Sequence, residues 1–163
     1  MENLHLQPQA VFDHFLQICR IPHGSKNESE ISEFLQNFGK ELGYETIADS
    51  VGNVLVKKPA YPGFENRKTI ILQSHMDMVC EKESGCDIDF EKDGLDLYVE
   101  DGFVKAKGTT LGGDDGIAVA YGLALLESTE YAHPRLEVVI TVDEETGMNG
   151  AYGIDLSMLK GKK

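Results

Sequence analysis

Two apolar runs of strand length constrain this chain more than any other feature. Thr69-Ile70-Ile71-Leu72 is almost continuously apolar, and residues 136–142 read Leu-Glu-Val-Val-Ile-Thr-Val. Both are short and rich in β-branched residues, so both read as strands. The first is expected to be covered on both faces, as a strand inside a layered sheet would be. Helical periodicity surrounds them. Val11, Phe12, Phe15, Leu16 and Cys19 recur at helical spacing within 8–19, and Ile31, Phe34, Leu35, Phe38 and Leu42 do so within 27–42. A third such stripe, Ile117, Ala118, Tyr121, Ala124 and Leu125, predicts a helix over 115–126. Pro22 and Gly24 break the chain between the first two helices. Ser25 with Glu28 predicts a capping box for the second, and Gly43 its stop. Shorter strands are expected at 54–56 and 88–90, with a hairpin of 97–99 and 103–105 around Glu100-Asp101-Gly102. The order helix, helix, strands, helix, strand predicts an α/β layered domain with a central mixed sheet flanked by helices.

Charge excludes whole classes of partner. The 163 residues carry 15 Lys+Arg against 28 Asp+Glu, a formal net charge of -13. Nothing supplies the positive surface that neutralises phosphates, so a nucleic-acid partner is not expected. An anionic membrane surface would repel the chain, and no run approaches the roughly 18 apolar residues of a membrane span. No secretory signal is visible. Cys19, Cys80 and Cys86 are an odd count at irregular spacing, which fits free thiols in a reducing compartment and a cytoplasmic protein. Cys19 lies on the apolar stripe and is expected in the core. His5 and His14 are expected on the polar side of their segment, His23 in the loop after the first helix, and His133 in a turn before Pro134.

The acids are not scattered evenly. Ser74-His75-Met76-Asp77 follows the first apolar run, and in extended backbone His75 and Asp77 share one side. Gly112-Gly113-Asp114-Asp115-Gly116 opens the third helix. Asp143-Glu144-Glu145 follows the last strand. Each cluster alone has a plain reading: a capped histidine, a helix-start acid with a solvated neighbour, a solvated loop. Together they place one imidazole and several carboxylates at strand carboxyl ends and a helix start, where sites gather in open α/β sheets. Such donors suit Zn, Mn or Co. Adjacent Glu144 and Glu145 invite a division between binding a cation and taking a proton from water. A metal-free α/β binding module, with the acids as solvated loop charge, is the rival reading.

Five stretches carry a resemblance: IPHGSKNE, GNVLVKKPA, ILQSHMDMVCEK, KGTTLGGDDGIAVAYGLALLE and VDEETGMNGA. Spread over nearly the whole chain, they resemble the N-terminal part of the bacterial aminoacylhistidine (Xaa-His, beta-alanyl-histidine) dipeptidases. These are co-catalytic zinc metallopeptidases related to carboxypeptidase G, peptidase T and peptidase V. The resemblance implies two divalent metal ions, with His75, Asp114 and Glu145 as ligands. It implies that Asp77 orients His75, that Glu144 is the general base, and that Asp114 joins Asp115 through a cis peptide. Asp115 stands where relatives often have Asn and receives no ligand role. Small peptides would be the substrates. The resemblance also implies that residues 1–163 are the N-terminal portion of a catalytic domain. A further Asp and His ligand would then lie past Lys163, together with a lid domain through which a homodimer would form. With its ligand set incomplete, the 163-residue chain alone is expected to bind metal weakly and to be inactive. Related tripeptidases, carboxypeptidases and N-acyl amino acid deacylases share the same residues and remain alternatives.

Overall fold

A computed structural model describes residues 6–161 of the chain. The first two helices form where the apolar stripes place them, α1 at Gln9–Cys19 and α2 at Ser29–Glu41. The capping box does not form. Glu28 is the N-cap of α2 but makes no capping hydrogen bond. The hydroxyl of Ser25 instead donates to Asp77 Oδ2 at 2.8 Å. Both side chains have partners remote in sequence, which a local pattern cannot reveal.

Strands β1 (Glu45–Ala48), β2 (Val54–Lys58), β3 (Ile70–His75) and β6 (Leu136–Thr141) make one sheet in the order β1-β2-β6-β3. The pairs β1–β2 and β2–β6 are antiparallel, and β6–β3 is parallel, so the sheet is mixed as expected. Strands β4 (Leu97–Glu100) and β5 (Phe103–Ala106) form the expected hairpin apart from it. Helix α3 (Gly113–Glu127) connects that hairpin to β6, and a short α4 (Asn149–Gly153) follows β6.

Register decides which residues the sheet buries. Val56 sits opposite Val138 and Val54 opposite Ile140. These four join Phe15, Ile18, Ile31, Leu35, Val119 and Leu123 in one buried cluster, so α1, α2 and α3 cover this face. Gly122 lets α3 lie close to the sheet, since a Cβ there would stand 3.0 Å from a Val138 methyl. Alternation turns Leu55, Lys57, Glu137 and Val139 to the opposite face. There the fully buried Glu137 carboxylate accepts Arg135 Nε at 3.1 Å and the backbone N–H groups of Lys160 at 2.9 Å and Gly161 at 3.1 Å. Burial alone would raise its pKa, but those donors hold it below the ordinary carboxylate value.

Three further expectations need correction. β3 is one of the two outer strands of the sheet rather than a doubly covered one, and Ile70 and Ile71 remain 44% and 37% exposed. Only its carboxyl end, Ser74 and His75, is buried. No strand forms at 88–90. The Asp89 carboxylate accepts the N–H of Glu91 at 3.1 Å and Lys92 Nζ at 2.6 Å, which curls this segment into a turn. Ile88 and Phe90 pack against the core from that turn. His14 is buried rather than on a polar face. Its ring meets Phe38 edge-on at 5.3 Å and its Nε2 lies 3.0 Å from Glu127 Oε2. Cys19 is in the core as expected, and burial pushes its thiol up to about 12. His5 lies outside the described residues.

Candidate metal centre

The three acidic clusters converge at the carboxyl ends of the parallel pair β3–β6. His75 is the last residue of β3, and Asp77 follows it by two. Met76 between them is buried in the core, which turns its neighbours the other way. The turn after β6 brings Glu144 and Glu145. The head of α3 brings Asp114 and Asp115, both with non-helical backbone angles and joined by a cis peptide.

The distances define one donor group. His75 Nε2 lies 3.1 Å from Asp114 Oδ1 and 3.9 Å from Glu144 Oε2. One donor atom each from His75, Asp114 and Glu145 all lie within 4.8 Å of one another. The other ring nitrogen, Nδ1, lies 3.0 Å from the Asp77 carbonyl oxygen and 3.4 Å from Asp77 Oδ1. That contact fixes the ring and presents Nε2 to the carboxylates, the usual way a protein aims a metal-binding imidazole. Asp115 does not join the group, because its Oδ2 accepts the His75 N–H at 3.3 Å.

A second set of donor atoms, from Glu28, Asp77 and Asp143, is equally close together. Its oxygens are already engaged. Asp77 accepts the N–H groups of Glu144 at 2.9 Å and Glu145 at 3.2 Å, besides the Ser25 hydroxyl. Asp143 accepts Thr146 Oγ1 at 2.5 Å and Asn149 Nδ2 at 2.6 Å. The set with the imidazole is instead closed by the His75–Asp114 contact, whose proton a cation can displace.

The electrostatics agree. Burial works to lower the His75 pKa, but hydrogen bonds to Asp77 and Asp114 and the charges of Asp77 and Asp115 outweigh it, raising the ring to about 9. Burial works to raise Asp77, yet the His75 ring, two backbone N–H groups and the Ser25 hydroxyl hold it well below the ordinary carboxylate range. Glu145 is raised, by burial first and then by the charges of Asp114, Glu144 and Asp77. A proton on Nε2 thus occupies the place between carboxylates that a cation fits, and an N,O donor set suits Zn, Mn or Co.

This has a measurable consequence. Zinc must displace the His75 proton, so binding at pH 7 is expected to release about one proton from this ring. Apparent affinity should rise about tenfold per pH unit and level off near 9. Calorimetry in buffers of different ionisation enthalpy counts that proton, and pH-independent binding would remove His75 from the ligand set.

Sequence reasoning missed Ser25, Glu28 and Asn53. Asn53 is buried, accepts the Val142 N–H at 3.1 Å and donates to the Gly150 carbonyl at 2.9 Å, bracketing the turn that carries Glu144. No spacing could have signalled these residues, since each acts on a segment at least 52 positions away. His23 keeps to its loop, with Nδ1 2.6 Å from the Ile21 carbonyl oxygen.

A mixed sheet with one imidazole and several carboxylates at the ends of its parallel strands defines a class, the α/β proteins with a candidate nitrogen-and-oxygen metal centre. Residues 71–162 match the family model for peptidase family M20/M25/M40. A cytosol non-specific dipeptidase of Escherichia coli K12 is 44% identical over 155 residues, 95% of this chain and 32% of that protein. The crystal structure of an aminoacylhistidine dipeptidase from Vibrio alginolyticus superposes with a TM-score of 0.95 at 44% identity, covering 99% of this chain and 33% of that one. A tripeptidase from Staphylococcus aureus superposes with a TM-score of 0.78 at 25% identity, covering 96% of this chain and 42% of that one. The chain belongs to peptidase family M20/M25/M40 and is a close homologue of the aminoacylhistidine dipeptidases. It spans about a third of the length of these two dipeptidases. Among the described residues no helix is long and apolar enough to cross a membrane.

Proposed function

We propose that this chain is the N-terminal portion of the catalytic domain of a cytoplasmic two-metal dipeptidase, acting on unblocked dipeptides with a preference for Xaa-His. The observation that carries the reading is Glu144, whose carboxylate lies 3.9 Å from the Nε2 of an imidazole grouped with Asp114 and Glu145. His75, Asp114 and Glu145 would hold the cations, with Zn favoured over Mn or Co by the mixed nitrogen and oxygen donors. Cations held there would supply Lewis acidity, for activating water and offsetting charge on the scissile carbonyl. Asp77 locks the His75 ring. Glu144 takes the proton from the attacking water and passes it to the leaving amine. The remaining ligands, an Asp and a His, lie past Lys163 in this reading, as does the domain that pairs two subunits. The Vibrio relative's name supports the Xaa-His preference. The Escherichia coli relative's name supports a broader dipeptide range.

The test is a substrate panel with the full-length protein: dipeptides with and without C-terminal His, tripeptides and N-acyl amino acids. Dipeptides, Xaa-His first, are expected to turn over. Asp114→Ala should lose metal binding and activity together. A metal-replete Asp114→Ala variant, or a preference for tripeptides or acyl amino acids, would overturn the assignment.

A further inference from the structure

The turn carrying Glu144 and Glu145 is held by side chains to an unusual degree. Four successive backbone N–H groups donate to side-chain oxygens from elsewhere in the chain. Val142 donates to Asn53 at 3.1 Å, Asp143 to Glu28 at 3.1 Å, and Glu144 and Glu145 to the two oxygens of Asp77 at 2.9 and 3.2 Å. Glu28 does more than the others. The same Oε1 that accepts the Asp143 N–H also accepts the N–H of Lys26 at 2.9 Å. Both donors are non-glycine residues in left-handed backbone, Lys26 at φ 72 and Asp143 at φ 50. Such residues carry a conformational cost and persist where the surroundings hold them. One oxygen therefore pins two strained turns to each other. The first is the turn of Ser25, whose hydroxyl holds Asp77, and the second delivers Glu144 and Glu145.

The position is costly for a carboxylate. Glu28 lies within the donor group it shares with Asp77 and Asp143. Burial raises its pKa, and the two N–H donors pull it back. α2 does not need it there, because as N-cap it makes no cap hydrogen bond. We infer that Glu28 is a positioning residue, clamping the turns of Lys26 and Asp143 so that Glu144 and Glu145 face His75 and Asp114. This rests on the metallopeptidase reading of those residues.

Three variants test it: Glu28→Ala removes the oxygen, Glu28→Asp keeps the charge but shortens the reach, and Glu28→Gln keeps an acceptor at the same reach. Amide hydrogen exchange and calorimetric titration with zinc chloride are read on each. Ala and Asp should speed exchange at 143–145 by tenfold or more while amides of β2 and β6 keep their rates. They should also weaken zinc binding about 10-fold to 100-fold. Gln should restore both to within a few-fold of the parent. If the Ala variant does not fold, the Asp and Gln pair decides. Unchanged exchange at 143–145, acceleration spread evenly over the sheet, or no rescue by Gln would overturn the proposal. Zinc is titrated into the full-length protein: if that parent binds no zinc, the metallopeptidase reading fails, and the exchange measurement still decides the clamp.

Discussion

Glu144→Gln is expected to lower turnover by the full-length enzyme about 100-fold to 10,000-fold, the usual share of a general base. Metal content should stay at the parent level. The residue sits where this pattern of loss follows. Its backbone N–H is tied to Asp77 at 2.9 Å, so the side chain starts from a fixed point. Its carboxylate lies 3.9 Å from His75 Nε2, beside the donor group without belonging to it. Gln matches its shape and its hydrogen-bonding reach but cannot accept a proton from water at neutral pH. Turnover assays with metal analysis of the same preparation check the result. A Glu144→Gln enzyme that keeps a tenth or more of its activity would assign the proton transfer to another group.

Asp77→Asn should damage both stability and metal binding. The Asp77 side chain is fully buried and meets donors on every side: the His75 ring, the Ser25 hydroxyl and two backbone N–H groups. An amide places a second donor among them and removes the charge opposite His75. Breaking one partner of a buried charged pair costs about 3–5 kcal/mol, and losing the group that orients a ligating imidazole costs about 10-fold to 100-fold in metal affinity. The pair also sets a pH dependence in the metal-free chain. Asp77 is depressed, so its contribution is full above the unfolded value near 4 and is lost as pH falls below it. His75 is raised, so its contribution is full below about 6.5 and is lost as pH rises toward 9. The metal-free parent should therefore owe most to this pair between about pH 4 and 6.5, and Asp77→Asn should flatten the profile. Urea unfolding with a chelator at pH 3, 5.5 and 9 measures both chains. Equal parent stability at pH 5.5 and 9 would show that no imidazolium is held at the site.

Periodicity gave the helices because each buries a continuous stripe, such as Ile31 and Leu35 of α2. It gave β6 and β3 as strands but not their places. Ile70 and Ile71 look as apolar as Val138 and Val139, yet the first pair lies on an outer strand and the second between two neighbours. Strand order is a property of the whole sheet. β1 escaped notice because Glu45-Thr46-Ile47-Ala48 is short and only half-buried, with no alternation to mark it. The grouping of the imidazole with the carboxylates was legible for a related reason. His75 ends β3, Asp114 lies in the first turn of α3 and Glu145 in the turn after β6, and those ends meet in an α/β sheet. Their supports were not, because Ser25, Glu28 and Asn53 sit in segments whose local patterns suggest caps and turns.

The four secured N–H groups at 142–145 also decide where catalytic electrostatics can come from. Every one of these backbone dipoles is aimed at a protein oxygen. None is left to form an oxyanion hole beside the proposed base. In many acyl-transfer enzymes, N–H groups near the nucleophile take up the developing charge. In the proposed dipeptidase that charge would fall to the cations or to donors from other parts of the molecule. Removing metal from the full-length protein should therefore lower its activity, since the N–H groups of 142–145 cannot stand in for the missing charge.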